Sequence, residues 1–238
     1  MNEAIWHDVE CGAYSADLEL WEELARDADG PILELGCGTG RVAMHLARRG
    51  YETVGIDTDA DLVLALADRA EGLPLEARLA DAREFELGTD IALAVGPMQL
   101  AQLLSGPEER LSCLRTIAAH LLPGGRIAMA IVERMPDLDG GAPPLPDVRE
   151  VDGWVYSSLP LEATEADGEI AIRRLRQTVS PAGDLIEEEN EIRIQTLTAT
   201  QLEREGAEAG LIALGRRQIP PTDIHVGSTL VVLGRPPE

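Results

Sequence analysis

The chain has 238 residues, 45% hydrophobic and 26% charged, the balance of one globular domain or of one domain with an elaboration. Its charge is unusual: 43 acids face 20 bases, a net of −23, and every base is an arginine, because the chain has no lysine. This excludes a gripping face for DNA or RNA, which needs cations to replace phosphate counterions, docking on an anionic membrane, and chemistry that requires a lysine amine. Cys11, Cys37 and Cys113 are far apart and form no CxxC pair, so neither a zinc ribbon nor a redox pair is expected. The N-terminus lacks the basic start and apolar run of a signal peptide. The longest apolar stretch, Ile91 to Leu104, is interrupted by Gly96, Pro97, Gln99 and Gln102. A reduced, soluble, cytoplasmic protein is expected.

In chain order, Leu18, Trp21 and Leu24 recur at helical spacing and predict an amphipathic helix ended by Gly30-Pro31. ILEL reads as a short buried strand running into GCGTG, RVAMHLARRG as a helix closed by Gly50, and ETVGI as a second strand. Thr58-x-x-Asp61 predicts the cap of a helix over DADLVLALADRA. A third strand near LEARL leads to Asp81, and a fourth, IALAV, follows Asp90. Ser105-x-x-Glu108 predicts the cap of the helix ERLSCLRTIAAHLL, which Pro123-Gly124-Gly125 turns into a fifth strand, RIAMAIV. Strands alternating with helices predict an α/β fold with a doubly wound, largely parallel sheet.

The alternation breaks at Gly140, Gly141, Pro143, Pro144 and Pro146, read as a rigid connection without helix. Three strand-like segments follow, GWVYSSLPLEAT, EIAIRRLRQTV and LIEEENEIRIQTL, the last two flanking a hairpin turn at Ser180-Pro181-Ala182-Gly183-Asp184. Pairing about that turn predicts Arg174 opposite Glu191 and Arg176 opposite Glu189, cross-strand ion pairs in preference to a binding patch. Thr198-x-x-Gln201 predicts the cap of a last helix, QLEREGAEAG, and the strands LIALGRRQI and STLVVLGR bracket the loop PPTDIHVG. Residues 134–197 therefore read as an antiparallel β insert, a substrate cover or dimer contact, set between 1–133 and 198–238 of one domain.

The strongest local signal is ILELGCGTG, with glycines at 36, 38 and 40 between a strand and a helix, where backbone N–H groups can approach a ligand. The third glycine falls one place short of the dinucleotide spacing, and no Gly-Lys-Ser/Thr ending makes a P-loop. Asp57 ends the second strand, where a carboxylate can accept ribose hydroxyls, and Asp81 ends the third, placed for an adenine amine.

With these acids in place, the chain resembles the class I S-adenosylmethionine-dependent methyltransferases. Glu34-Leu35-Gly36-Cys37-Gly38-Thr39-Gly40 resembles their first motif, GIDTDADL with Asp57 their second, ADAREFEL with Asp81 their third, and LLPGGRIAMAIV their passage into the fifth strand. The resemblance covers about residues 12–133 and 198–235. It implies a Rossmann-like seven-stranded sheet, S-adenosyl-L-methionine as cofactor, and methyl transfer to N or O of a small molecule. It also implies the cofactor residues: Gly36, Gly38 and Gly40 under the methionine part, Glu34 ordering the loop, and Asp57 with Thr58 at the ribose. Asp81 and Ala82 are then at the adenine, Val95 in the fourth strand, and Tyr14 over the methionine carboxylate. One departure stands out: where relatives carry Asn and His after the fourth strand, this chain has GPMQLAQLL, with Met98 and Gln102 at those places. Gln99 and Gln102 can hydrogen-bond but not titrate, which keeps open a cofactor-binding regulatory or partner subunit without transfer activity of its own.

In an open parallel sheet a ligand lies beyond the carboxyl ends of the strands. Glu133, closing strand five, and His225, in the last loop beside Asp223, map there as candidate acid–base groups. His7 lies on an N-terminal segment that can form a lid, and His45 and His120 read as packing or surface residues. Trp154, Tyr156, Met98 and Met135 are candidates to line an apolar substrate pocket, while Met129, mid-strand, reads as core. No histidine–carboxylate metal spacing is present in the sequence.

Overall fold

A computed structural model describes residues 3–135, 145–222 and 225–237. Two helices, α1 (Glu3–Cys11) and α2 (Leu18–Arg26), lead into β1 (Ile32–Leu35), α3 (Arg41–Ala47), β2 (Thr53–Asp57), α4 (Ala60–Arg69) and β3 (Leu75–Leu79). There follow β4 (Ile91–Gly96), α5 (Leu100–Leu103), α6 (Pro107–His120) and β5 (Leu121–Ile131). The strands β6 (Asp147–Val151), β7 (Trp154–Ala166), β8 (Glu169–Val179) and β9 (Leu185–Gln195) come next, then α7 (Ala199–Glu208), β10 (Ile212–Ile219) and β11 (Ser228–Gly234).

The main sheet has seven strands in the order β10-β11-β5-β4-β1-β2-β3. Strand β1 pairs parallel with β2 and β4, while β11 runs antiparallel to both β5 and β10. This is the doubly wound sheet that the alternation predicts, with the seven strands that the resemblance implies. Every residue of β1 and of β4 is buried, as expected for strands covered on both faces. The pleat sends alternate residues to opposite sides. Leu33 and Leu35 join Cys113, Leu114 and Ile117 of α6 and Leu202 of α7, whereas Ile32 joins Trp21 and Leu24 of α2 and Val42 and Leu46 of α3. No helix among the described residues is long and apolar enough to cross a membrane.

Two caps differ from expectation by one residue. Helix α4 is capped by Asp59, whose side chain accepts from the N–H groups of Asp61 and Leu62, and not by Thr58. Helix α6 begins at Pro107 behind Gly106, and the Ser105 N–H donates instead to Glu109 Oε2. Proline's fixed φ suits the first helical position, where no N–H is needed, so it overrides the serine before it. The Thr198/Gln201 capping box forms as read.

The other four strands form a separate antiparallel sheet in the order β6-β7-β8-β9, in which β6 is an element the sequence reading lacked. Its register corrects the expected ion pairs: Arg173 faces Glu191, Arg174 faces Asn190 and Arg176 faces Glu188. The turn dictates this, because five residues separate the closing pair Val179 and Leu185, and Ser180 Oγ accepts from the N–H groups of Ala182 and Asp184. A slip of one residue moves a side chain to the other face of a sheet. Arg174 and Arg176 accordingly point at α1, where both meet Glu10. The predicted connection through Gly140, Gly141, Pro143 and Pro144 lies outside the described residues, as does Asp223.

Candidate functional site

The glycine loop between β1 and α3 is held by a carboxylate beneath it. The N-cap of α3 is Gly40, which has no side chain to satisfy the first N–H groups of the helix. Glu34, on β1 beside the central strand β4, reaches across instead, and its Oε2 accepts from the Ala43 N–H at 2.6 Å. Only 3% of Glu34 is exposed, and burial pushes its carboxyl up to about 8. The loop passes through the left-handed region at each of its three glycines, with φ of +60° at Gly36, +54° at Gly38 and +93° at Gly40. A Cβ at Gly40 would lie 2.2 Å from Leu66 Cδ1, and one at Gly38 would lie 2.1 Å from His7 Nε2. The two glycines are thus required by both backbone and neighbours. A side chain at 38 would displace α1 as well as disturb the loop.

Asp57, at the carboxyl end of β2, is drawn onto the same loop. Its Oδ2 accepts from the Gly38 N–H at 2.8 Å and its Oδ1 from the Asp59 N–H at 3.0 Å. A carboxylate has about four lone-pair positions, so each oxygen keeps one for a ligand. Thr58 beside it is exposed. Asp81 follows β3 and is gripped by its neighbour: the Arg83 guanidinium donates to both carboxylate oxygens, and this hydrogen bonding holds the Asp81 carboxyl below its ordinary value. Ala82 is buried beneath it. Val95 is fully buried on β4 opposite Glu34, its side chain in the core with Trp21 and Leu93.

Tyr14 is buried between α1 and α2, its ring 4.6 Å from that of His225 and 5.0 Å from the Arg41 guanidinium. Arg41 is fixed by a buried bidentate pair with Asp17, at 2.5 and 2.8 Å, and donates to the Tyr14 carbonyl. His225 sits in a turn in which its N–H donates to Thr222 Oγ1, and burial lowers its pKa below the ordinary value. The shift favours the neutral imidazole. Glu133 follows β5, with Oε1 accepting from the Ala199 N–H at the start of α7 and Oε2 from Thr229 Oγ1. It lines a cavity of about 450 Å³ together with Thr198, Gln218, Ser228 and Thr229.

Gln102, at the departure noted in the sequence, is fully buried and serves the framework. Its Nε2 donates to the carbonyls of Val132 and Gln195, and its Oε1 accepts from the Val132 N–H. The loop and Asp57 therefore share one end of the sheet with Tyr14, Glu133 and His225. The sequence reading missed Thr39, Asp8 and Glu10. Thr39 Oγ1 donates to Asp8 Oδ1 at 2.6 Å, and α1 lies directly on the loop. Trp6 and Val9, three apart and both buried, were the available sign of that helix.

The family described as Methyltransferase domain matches residues 32–125, from β1 to the turn within β5. The chain is 32% identical over 111 residues to the cypemycin N-terminal methyltransferase of Streptomyces sp, an alignment covering 46% of this chain and 45% of that protein. It is 34% identical over 100 residues to the ribosomal protein L11 methyltransferase of Xanthomonas campestris pv. campestris (strain 8004), covering 42% of this chain and 31% of the relative. The chain thus spans less than half the length of these curated relatives. Solved structures carry the same fold over nearly the whole chain. The sugar N-methyltransferase KedS8 from Streptoalloteichus sp ATCC 53650 superposes with a TM-score of 0.75 at 17% identity, covering 99% of this chain and 93% of that one. Streptomyces venezuelae DesVI gives 0.74 at 19% identity, covering 99% of both chains.

Proposed function

We propose that the chain is an S-adenosylmethionine-dependent methyltransferase that methylates the nitrogen of a small-molecule amine. The observation that carries this reading is Asp57, bonded to the Gly38 N–H and keeping a free acceptor position on each oxygen. That is the pair of acceptors a ribose diol needs, placed beside a loop whose glycines offer backbone in place of side chains. Asp57, Thr58 and the loop would hold the nucleoside and methionine parts, with Asp81 and Ala82 toward the base and Tyr14 over the amino-acid end. The sulfonium supplies an already activated methyl group, so the protein's task is to align the nucleophile and exclude water, which is worth about 7–11 kcal/mol. An amine arrives protonated at neutral pH and must lose that proton to attack. The neutral His225 and the Glu133 carboxylate are the groups assigned to hold and accept it, an effect of about 10²–10⁴-fold.

The choice of nitrogen and of a small substrate draws support from structures sharing this fold. They include the sugar N-methyltransferase KedS8 and CalS10, described as an amino pentose methyltransferase from Micromonospora echinaspora. The net charge of −23 favours a cationic cofactor and substrate over an anionic one. Calorimetric titration with S-adenosylhomocysteine is expected to give binding that Asp57→Ala abolishes. Methyl-labelled cofactor is expected to label amino sugars and not peptides with free α-amines. A His225→Ala/Glu133→Gln double variant is expected to bind normally and turn over slowly. Absence of binding by the wild-type protein overturns the proposal, and label carried by peptides overturns its substrate.

A further inference from the structure

Helix α1 makes polar contacts in two directions. Toward the insert sheet, Glu10 accepts from Arg176 through both oxygens, at 2.8 and 2.9 Å, and from Ser158 Oγ at 2.8 Å, with Arg174 Nε 3.7 Å away. Trp6, one turn earlier on the same face, is 1% exposed, meets the Tyr156 ring edge-on at 5.5 Å and lies under the Arg176 guanidinium. Toward the glycine loop, Asp8 accepts from Arg69 of α4 at 2.7 Å and from Thr39, and back toward the insert sheet it pairs with Arg149 of β6 at 3.2 Å. The Thr39 hydroxyl donates its hydrogen bond to the Asp8 carboxylate, so His7, 3.1 Å from Thr39 Oγ1, donates from Nδ1 and turns Nε2 toward Gly38.

A helix of nine residues does not hold itself in water, and Glu10, in the last turn of α1, opposes the helix dipole with no basic residue beside it in that turn. The arginines of β8, α4 and β6 supply the compensating charge from outside. The helix is therefore ordered only while both of its partners are in place, and the loop residues Gly38 and Thr39 are covered only while the helix is ordered.

We infer that α1 couples the insert sheet to the glycine loop, so that the Glu10–Arg176 pair, which touches no part of the loop, sets how tightly and how slowly the loop exchanges its cofactor. This rests on the cofactor site proposed above and adds its regulation: a substrate that shifts the insert changes cofactor affinity, and the cofactor changes substrate affinity by the same factor. Glu10 and Arg176 act here as positioning residues.

The test uses the full chain and S-adenosylhomocysteine as the probe. Glu10→Gln, Arg176→Gln and the double variant are compared with the wild type by calorimetry, by stopped-flow release, and by hydrogen exchange of the loop amides 36–40 without ligand. Each single variant is expected to release the probe at least about fivefold faster, the lower bound of a coupling between linked sites, with the double no faster than the singles. Loop amides are expected to exchange faster in the same variants. Folded variants with wild-type release and wild-type loop exchange overturn the inference. Failure of the wild type to bind the probe, with loop exchange still faster in the variants, overturns the cofactor reading and leaves the coupling standing. Loss of fold in both single variants also overturns it, since α1 would then be part of the core.

Discussion

Replacing Glu34 with glutamine is expected to remove a large pH dependence of stability. The carboxyl is 3% exposed at the centre of the sheet, and burial pushes its pKa from an ordinary 4.5 up to about 8. The folded protein therefore keeps a proton that the unfolded chain has released. Its contribution is fully present below the unfolded value and is lost as pH rises toward the folded one. Between those values wild-type stability falls by about 1.4 kcal/mol per pH unit through this residue alone, close to 5 kcal/mol in all. Glutamine keeps an oxygen for the Ala43 N–H and cannot ionise, so it carries no such slope. Urea unfolding of both proteins from pH 5 to 9 isolates the residue, because every other acid is common to the pair. The variant's advantage is expected to grow by about 1.4 kcal/mol per unit up to pH 8 and then level off. A difference constant to within about 0.5 kcal/mol refutes the burial argument: the Ala43 N–H and nearby Arg41 would then stabilise the carboxylate as well as water does.

Arg110 and Glu205 form a buried bidentate pair between α6 and α7, both bonds 2.8 Å. Glu205→Gln alone is expected to cost about 3–5 kcal/mol in urea unfolding and the joint change Arg110→Met/Glu205→Leu clearly less; the reverse order refutes the argument. Gln102→Ala strands the Val132 N–H and carbonyl, at about 1–3 kcal/mol for each group, and is expected to speed hydrogen exchange at the end of β5; unchanged exchange there counts against it. Gly40→Ala is best read against Gly50→Ala, which has a similar φ of +90° but open space around it. Both incur about 1–2 kcal/mol of backbone strain, and only the first collides with Leu66, so equal losses in thermal unfolding refute the collision.

The α/β half of this protein was legible because its signals are local. Strand, glycine turn and helix follow one another within ILELGCGTGRVAMHLA, and Asp57 and Asp81 stand at strand ends that hydrophobic runs delimit. What escaped is non-local. The role of Gln102 depends on Val132 and Gln195, which lie 30 and 93 residues away in sequence. Arg176 finds Glu10 across 166 residues, and a one-residue error in strand register was enough to hide that pair. The cap at Asp59 was displaced because threonine and aspartates crowd the same few positions, and the start of α6 because Pro107 takes the first helical position ahead of any cap from Ser105.

Gln102 also sets the terms on which this fold can change. Its amide bonds both to Val132, where the chain leaves the main sheet, and to Gln195, where it comes back. Departure and return are therefore clasped within the span of one side chain, and Glu133 secures the next step by holding the start of α7. Whatever is looped out between those two anchors closes at the same small gap whatever its length. Natural variation or a protein engineer can therefore exchange the four-stranded segment for another cover while keeping the α/β half unchanged. The chimera needs only a helix like α1 whose charges suit the replacement.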